Sequence, residues 1–280
     1  MSHIQTMPLI TRRVDFTFHD VHATWLADSI KTQFMQALSL FIPSSERTVI
    51  EILRTHQIQI NDANIHILIT ELIKQEGQHA VMHRRANQAI LHRHPELKWI
   101  ITLQTKFMAL VQKSSSPAFR LAIPVAFEHI TAAISKDVLA HKEYWLGDQV
   151  KPNSASNFLL WHCLEELEHQ SICHVIYKKA YPHSLTNNAR IILSLLCIWL
   201  PVTVLSIFPV QLYLLIKDKT LINPRNWLPF IGFVGRTLKL FFKGGFRYRK
   251  KRETIWPRDE ITLYQAACQD FNTRQNSSDT

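Results

Sequence analysis

The sequence predicts an all-α protein with a four-helix bundle core, extra helices and an apolar and basic C-terminal region. The 280 residues include only 6 glycines and 12 prolines, and long stretches contain neither. Apolar residues recur at helical spacing, and no alternating pattern bounded by turn residues indicates strands. Acidic residues and histidines also follow one another at the spacing with which helices line up side chains on one face.

Helix-breaking residues place the elements in order. A first helix is predicted near residues 22–41 and ends at Pro43, after which Ser44 or Ser45 starts a helix that carries Glu46. Further helices are predicted between the breaks at Pro95, the SSSP loop at 114–117, and Gly147 with Pro152. They run over residues 63–92, over 96–113, through Glu128, and from Ser154 or Ser156 to about Tyr181.

Two Glu-x-x-His pairs, each preceded by a lone glutamate, form the most informative pattern of the chain. The pairs are Glu76-x-x-His79 and Glu166-x-x-His169, and the lone glutamates are Glu46, 30 residues before the first pair, and Glu128, 38 before the second. Residues three apart share one face of a helix, so each pair can present a carboxylate and an imidazole to one centre. This is the ligand order of a dinuclear carboxylate site in a ferritin-like four-helix bundle.

Two more histidines extend the pairs by one helical turn, His162 before Glu166 and His83 after His79. The predicted metal ligands are Glu46, Glu76, His79, Glu128, His162, Glu166 and His169, with His83 as a further candidate. Glu51 and Glu71 remain alternatives to Glu46, and Glu165 could replace Glu166 or hydrogen-bond a ligand histidine. Mixed carboxylate and imidazole ligands predict two iron ions (Fe/Fe or Mn/Fe), or zinc or manganese if the reaction is hydrolytic.

Four segments of the chain resemble the bacterial family of predicted metal-dependent hydrolases. They are FIPSSER at 41–47, QEGQHAVMHRRAN at 75–87, FEHITAAI at 127–134 and WHCLEELEHQSICHVIY at 161–177. The resemblance covers roughly residues 20–250. It implies the helical fold and a bound metal, and it leaves the reaction open.

A more distant resemblance is carried by the spacing His162-x-x-x-Glu166-x-x-His169. It is similar to that of the di-iron p-aminobenzoate N-oxygenase group, in which a third histidine joins the metal site. The resemblance implies that His162 is a ligand, together with the six glutamates and histidines of the doubled pattern. It does not carry a substrate class.

Three functions follow from these patterns. The favoured one is an O2-dependent di-iron oxygenase or oxidase that acts on a small apolar molecule or lipid, with an unknown electron donor. It is favoured over hydrolysis because dinuclear hydrolytic sites more often take Asp and His from loops than Glu and His from helices. The alternatives are a metal-dependent hydrolase of an ester or phosphoester and a metal-binding, membrane-associated protein without activity.

The C-terminal region combines an apolar run with a basic segment. Residues 191–216 carry no charge over 26 positions, enough to span a bilayer, which takes roughly 20 apolar residues. Pro201 and Pro209 predict a kinked helix or a re-entrant hairpin. Residues 217–252 hold eleven Lys or Arg and one acid, which accounts for the whole net charge of +10.

A basic segment beside an apolar run predicts an anionic membrane surface as a partner. Nucleic acid ranks below it because no recognisable nucleic-acid motif is present. We expect a cytoplasmic protein with reduced cysteines, peripheral or monotopic at the inner membrane face, because the start lacks the apolar core of a signal peptide. The predicted units are a metal-binding bundle at 20–185, the apolar and basic segment at 186–252, and a short helix with a polar tail at 253–280.

Overall fold

The computed structural model describes residues 9–18, 24–147, 153–169, 171–182, 186–246 and 258–278. Regular secondary structure within these ranges is entirely helical, which confirms the predicted all-α class. The helices of the described ranges are numbered in chain order: α1 (Ser29–Gln57), α2 (Ala63–Arg93), α3 (Lys98–Ser114), α4 (Pro117–Ala140), α5 (Lys142–Leu146), α6 (Ser154–His169), α7 (Ile172–Ala180), α8 (Asn187–Lys217), α9 (Trp227–Gly245) and α10 (Arg258–Ser278). Short 3₁₀ turns lie at Pro95–Leu97, Thr220–Ile222 and Pro224–Asn226.

The predicted helix break at Pro43 is wrong, because α1 runs through this residue. A proline has no N–H, so the carbonyl of Ser39, four residues earlier, loses its helical donor. The side-chain amide of Asn87 on α2 donates to that carbonyl at 2.7 Å instead. The N-cap of the whole helix is Asp28, whose carboxylate accepts a hydrogen bond from the backbone N–H of Lys31 at 2.9 Å. A side chain of a neighbouring helix thus allows one continuous α1.

The predicted second-pair helix is also interrupted. It was expected to run to about Tyr181, but Ser171 lies in a turn between α6, which is described as far as His169, and α7, which begins at Ile172. The first helix was predicted to start near residue 22, but α1 starts at Ser29, after its N-cap Asp28. The predicted boundaries of α2, α3 and the starts of α4 and α6 agree within a few residues. For example, α4 begins at Pro117, and Ser116 caps it by accepting from the backbone N–H of Phe119.

Four helices surround the centre of the molecule: α1 packs along α2, and α4 packs along α6. The two pairs meet through contacts of α1 with α4 and of α2 with α6. Helix α4 is almost wholly apolar and buried, so it forms the middle of the core. The more specific ferritin-like bundle arrangement stays a prediction.

The apolar run forms a continuous helix, α8, rather than a hairpin within the run. Its prolines are accommodated by two π-helical turns, Leu195–Trp199 and Thr203–Ile207. After the first turn the N–H of Leu200 donates to the carbonyl of Leu195, five residues back, directly before Pro201. Such one-turn π-helical segments absorb a local mismatch in the helical hydrogen-bond pattern.

The C-terminal helices lie on the outside of the site-bearing helices. Helix α8 packs on α4 and α1, α9 packs on α4, and α10 packs on α6. Two side chains of α8 hydrogen-bond backbone carbonyls of the core: Trp199 Nε1 donates to Ile123 at 3.1 Å and Gln211 Nε2 donates to Ile30 at 3.0 Å. The predicted polar tail from about residue 275 is still helical as far as Ser278. The predicted division into three units stays a prediction.

In the described part of the chain, two helices are long and apolar enough to cross a membrane by length and composition. They differ in their surroundings: 83% of the apolar window of α4 is buried in the protein, against 39% for α8. Burial explains the apolar character of α4, because a core helix passes the same test. The lower burial of α8 means that its outward face has no packing partner among the described residues.

Candidate metal centre

The structure brings all seven predicted ligands together in the middle of the four helices. Helix α1 supplies Glu46, α2 supplies Glu76 and His79, α4 supplies Glu128, and α6 supplies His162, Glu166 and His169. All seven side chains are buried, and none is more than 8% exposed. Helical spacing explains why Glu76 and His79 share one inward face of α2, and why His162, Glu166 and His169 share one inward face of α6.

Two histidine nitrogens face Glu46 in one half of the cluster. The Nδ1 atom of His79 lies 3.7 Å from Glu46 Oε1, and the Nε2 atom of His162 lies 3.8 Å from the same oxygen. Glu166 Oε1 lies 3.0 Å from His162 Nε2 and 3.8 Å from His79 Nδ1. Two nitrogens and two carboxylates therefore surround one position.

The other half of the cluster is built around His169. Its Nδ1 atom lies 3.0 Å from Glu76 Oε1 and 3.3 Å from Glu128 Oε2. Glu166 Oε1 is 3.7 Å from the same nitrogen. Glu166 thus faces histidine nitrogens of both halves, so its carboxylate could contribute to holding an ion in either half.

The donor atoms of the cluster fit bound cations. With bonds of about 2.0–2.2 Å, two ligand atoms on one ion lie about 3.0 Å apart at a right angle and about 3.6 Å apart at 120°. The observed separations of 3.0–3.8 Å lie close to these values. Several inward atoms have no hydrogen-bond partner: both oxygens of Glu46, Glu76 and Glu128, Glu166 Oε2, and the Nδ1 atoms of His79 and His169. Buried carboxylates without partners would be costly, so the buried His and Glu groups could hold a dinuclear metal site.

Outer hydrogen bonds set the tautomers of both pair histidines. His79 Nε2 lies 3.0 Å from Glu165 Oε2, and a carboxylate accepts, so the ring proton sits on Nε2. Gln75 Nε2 donates to Glu168 Oε2 at 2.9 Å, which leaves Gln75 Oε1 to accept from His169 Nε2 at 3.0 Å. In the neutral rings both Nδ1 lone pairs therefore point inward, as metal ligation requires.

His162 is oriented by a hydrogen-bond chain that begins at Asn87. Because the Asn87 amide donates to the Ser39 carbonyl, Asn87 Oδ1 accepts from the Ser39 hydroxyl at 2.7 Å. The Ser39 hydroxyl in turn accepts from His83 Nδ1 at 2.8 Å, and His83 Nε2 accepts from His162 Nδ1 at 2.7 Å. This leaves His162 Nε2 facing the carboxylates. His83 comes close enough to form a ligand group with Glu46 and His162, but its hydrogen bonds place it behind His162.

An arginine from the N-terminal segment closes the outer side of α6. Arg12 forms ion pairs with Glu168 at 2.7 Å and with Glu165 at 3.3 Å. Tyr264 of α10 donates a further hydrogen bond to Glu168 at 2.8 Å. The two glutamates that orient Gln75 and His79 are thus held in turn by residues from both ends of the described chain.

The protonation of the metal-free cluster reflects its crowded carboxylates. Burial raises the pKa of Glu46 and Glu128 well above the usual carboxyl range, and Glu76 and Glu166 raise it further. Burial alone would lower the pKa of His169, but the nearby carboxylates of Glu128 and Glu76 outweigh it and raise the value well above the ordinary one. The cluster therefore attracts a positive charge to the inward nitrogen of His169.

The alternatives raised by the sequence lie elsewhere. Glu51 is exposed and pairs with Arg47 at 2.8 Å, and Glu71 pairs with Lys74 at 2.6 Å on the surface of α2. Glu165 forms the hydrogen bond to a histidine that was one of its two predicted roles.

Sequence reasoning missed the outer partners of the site. They are Arg12, Ser39, Gln75, Asn87 and Glu168. Gln75 and Glu168 lie directly beside ligand residues in the sequence, a signal that could have found them. Arg12 gives no such signal, because the residues it binds lie 153 and 156 positions away.

An apolar cavity opens on the His162 side of the cluster. It has a volume of about 70 Å³, and His83, His162 and Glu166 form its polar end. Most of its wall is apolar and includes Met35 and Phe158. The cavity gives an uncharged molecule a place beside the candidate metal ligands.

Comparison with known proteins identifies the family. A family model described as predicted metal-dependent hydrolase matches residues 10–252. Searches of curated proteins and of solved structures found no match, and nothing found supports the resemblance to the arylamine oxygenases. The family description shows that the prediction of an oxidoreductase rather than a hydrolase is wrong. The prediction failed because glutamate and histidine bind zinc and manganese as well as iron, and so do not select redox chemistry. This chain belongs to the predicted metal-dependent hydrolase family.

Proposed function

We propose that this protein is a dinuclear-metal hydrolase that cleaves an ester bond in a small apolar substrate. The observation that carries the proposal is the buried cluster of four glutamates and three histidines, in which most inward atoms lack a hydrogen-bond partner. The cavity beside it would hold the substrate. The family description supports the reaction class.

The ligands of the two ions would be divided between the halves of the cluster. Glu46, His79 and His162 would hold one ion, Glu76, Glu128 and His169 the other, and Glu166 would contact both. Two divalent ions supply a water-derived nucleophile near neutral pH and polarise the scissile carbonyl. We propose zinc or manganese, since neither needs an electron donor.

Charge favours a neutral carboxylic ester over a phosphoester. Four carboxylates match the charge of two divalent cations, so the loaded centre would carry no excess positive charge for a phosphate dianion. Among the described residues, the cavity wall holds neither lysine nor arginine. A neutral ester needs no such counter-charge.

The protein's own residues would fix the ligands and keep bulk water out. Glu165 and Gln75 hold the rings of His79 and His169, and His83 holds His162. Trp161 packs edge-on against His79, with ring centroids 4.8 Å apart. Hydrolysis would add the water hydroxyl to the acyl carbon and break its bond to the alkoxy oxygen. The departing alcohol would take up the remaining proton.

Metal-reconstituted protein and a neutral ester provide the test. The protein is stripped with a chelator, loaded with zinc, manganese or iron, and assayed with p-nitrophenyl butyrate and p-nitrophenyl phosphate. We expect hydrolysis of the butyrate to require metal, and Glu166→Ala to lower it by about 100-fold or more, as for a site that loses a metal ligand. Glu71→Ala on the surface of α2 is the control and should retain full activity. A folded, metal-loaded protein without esterase activity, or an unimpaired Glu166→Ala variant, would refute the proposal.

We also propose that the protein acts at an anionic membrane surface. The region from the end of α8 to the start of α9 presents large apolar side chains to solvent, with Leu228 exposed by 78% and Ile222 by 68%. Lys217, Lys219 and Arg225 are exposed in the same region. Apolar insertion beside basic side chains suits a bilayer with anionic lipids, at roughly 1 kcal/mol per basic residue.

Vesicle binding tests this attachment. Wild-type protein should bind vesicles of phosphatidylglycerol and phosphatidylcholine, and added salt should weaken the binding because it screens the lysines and arginine. Leu228→Glu should lower the affinity by about tenfold or more, since an inserted leucine contributes about 1.5–3 kcal/mol. Leu110→Glu on α3, where the leucine is 62% exposed, is the matched control. Equal binding by both variants, or none by the wild type at low salt, would exclude the attachment.

A further inference from the structure

A second apolar cavity continues the first one away from the metal centre. It has a volume of about 40 Å³ and lies between α1, α4, α8 and α9. Leu38, Ile42, Thr131 and Ile134 line both cavities. The second cavity therefore adjoins the one that touches His162 and Glu166.

The second cavity offers a ligand no free hydrogen-bond donor. Its polar wall residues are Ser45, Thr131, Thr203 and Thr237. Each of the four hydroxyls donates to a carbonyl of its own helix, for example Thr203 to Trp199 at 2.8 Å and Thr237 to Phe233 at 3.0 Å. The remaining wall is aliphatic or aromatic. A polar ligand would lose its water here without compensation, whereas a hydrocarbon chain would not.

We propose that the two cavities form one binding site for an acyl ester, with the carbonyl at the metal centre and the acyl chain in the second cavity. This inference rests on the proposed hydrolase function and adds the substrate class, an ester of a straight-chain fatty acid. The polar end of the first cavity suits the ester group, and the uncharged, fully bonded wall of the second suits methylenes. Any acyl chain that enters the second cavity would move the shared Leu38 and Ile42 side chains aside.

The far wall of the second cavity belongs to the C-terminal helices. Trp199, Val202 and Ile207 of α8 and Phe241 of α9 line it. The next residues on the outer side of α8, Val204 and Leu205, are exposed, Leu205 by 70%. The chain-binding cavity is thus one helix thickness from the apolar surface of the protein.

Val202 and Val204 provide a matched pair of test substitutions. Val202→Phe fills the second cavity, and Val204→Phe makes the same change on the exposed side of the same helix. Binding of butyrate, hexanoate, octanoate and dodecanoate to each purified, metal-loaded protein is measured by titration calorimetry. Hydrolysis of the p-nitrophenyl esters of the same acids is measured in parallel.

The wild-type protein should bind each longer acid more tightly until the cavity is full, by up to about fourfold for each buried methylene. Val202→Phe should abolish this gain beyond the shorter acids. Val204→Phe should behave like the wild type. If Val202→Phe does not fold, Thr237→Leu fills the same cavity from α9.

The two proposals can fail separately. Affinity that does not depend on chain length, or that depends on it equally in wild type and in the cavity-filling variant, would overturn the acyl-chain site even if short esters are hydrolysed. Chain-length-dependent binding that Val202→Phe abolishes would support the site even in a protein without esterase activity.

Discussion

The side-chain amide of Asn87 should keep α1 continuous at Pro43 and orient His162 through Ser39 and His83. Removing this amide should measurably lower the free energy of unfolding. In Asn87→Ala the Ser39 carbonyl loses the side-chain donor that replaces the N–H missing at Pro43, and the Ser39 hydroxyl loses its acceptor. Both groups belong to a buried residue. A buried polar group left unsatisfied costs about 1–3 kcal/mol. We therefore expect the free energy of unfolding to fall by about 2–4 kcal/mol.

A double-mutant cycle with Pro43 measures how much of this loss in unfolding free energy comes from the Ser39 carbonyl. Pro43→Ala restores an N–H four residues after Ser39, so in that background the carbonyl has a helical donor when Asn87 is removed. The cost of Asn87→Ala should then be smaller by about 1 kcal/mol or more. Urea unfolding of the wild type, both single variants and the double variant, followed by circular dichroism, gives the four free energies.

Asn64→Ala, at an exposed position near the start of the same helix, controls for helix propensity and should change stability little. Strictly additive effects of the Pro43 and Asn87 substitutions would show that the amide does not replace the missing helical hydrogen bond. An Asn87→Ala variant as stable as the wild type would refute the reasoning altogether.

Three further predictions concern the site's surroundings. Arg12→Ala should lower the free energy of unfolding by about 3–5 kcal/mol, because it leaves two buried glutamates without their cation; urea unfolding measures this, and Arg13→Ala, on the exposed side of the same segment, should change little. Gln75→Leu should weaken metal binding by about 10–100-fold, since it frees the outer nitrogen of His169; a competition titration with a chromophoric chelator measures this, and unchanged affinity would contradict the role. The pKa values of His169 and Glu128 are raised in the folded metal-free protein, so both groups bind a proton more tightly when the protein is folded. The stability that this proton binding adds is fully present below the pKa values of the unfolded chain, and it is lost as the pH rises through the pKa values of the folded protein. Above about pH 6.5, the ordinary value for histidine, the metal-free protein should therefore become less stable to heat as the pH rises, and zinc or manganese should remove this dependence; a flat profile would contradict it.

Sequence spacing found the candidate ligands because helix geometry converts spacing directly into direction. Glu76 and His79, or Glu166 and His169, must share a face wherever the helix lies. The all-α class followed from the same periodicity. Side chains that reach the site from another part of the chain carry no such local signal, so Arg12 could only be found in the folded structure.

The prediction at Pro43 failed for a related reason. A proline inside a helix normally ends or bends it because one carbonyl is left without a donor. Here that donor comes from Asn87 on the next helix, 48 positions after Ser39, and local sequence rules cannot see such a partner. The prediction of oxidation rather than hydrolysis failed for a different reason. Glutamate and histidine ligands restrict which metals can bind, but they do not determine which reaction the metals catalyse.

Arg12 and Tyr264 both hydrogen-bond Glu168, and this has a consequence for the order in which contacts can form while the chain is being synthesised. These two residues lie 252 positions apart, so the side chain that supports Gln75 gains its last hydrogen bond only after residue 264 has left the ribosome. Until then Glu168, which is buried in the folded protein, lacks the hydrogen bond from Tyr264. The helices that carry the candidate ligands are therefore synthesised before α10, which packs on the outer side of α6.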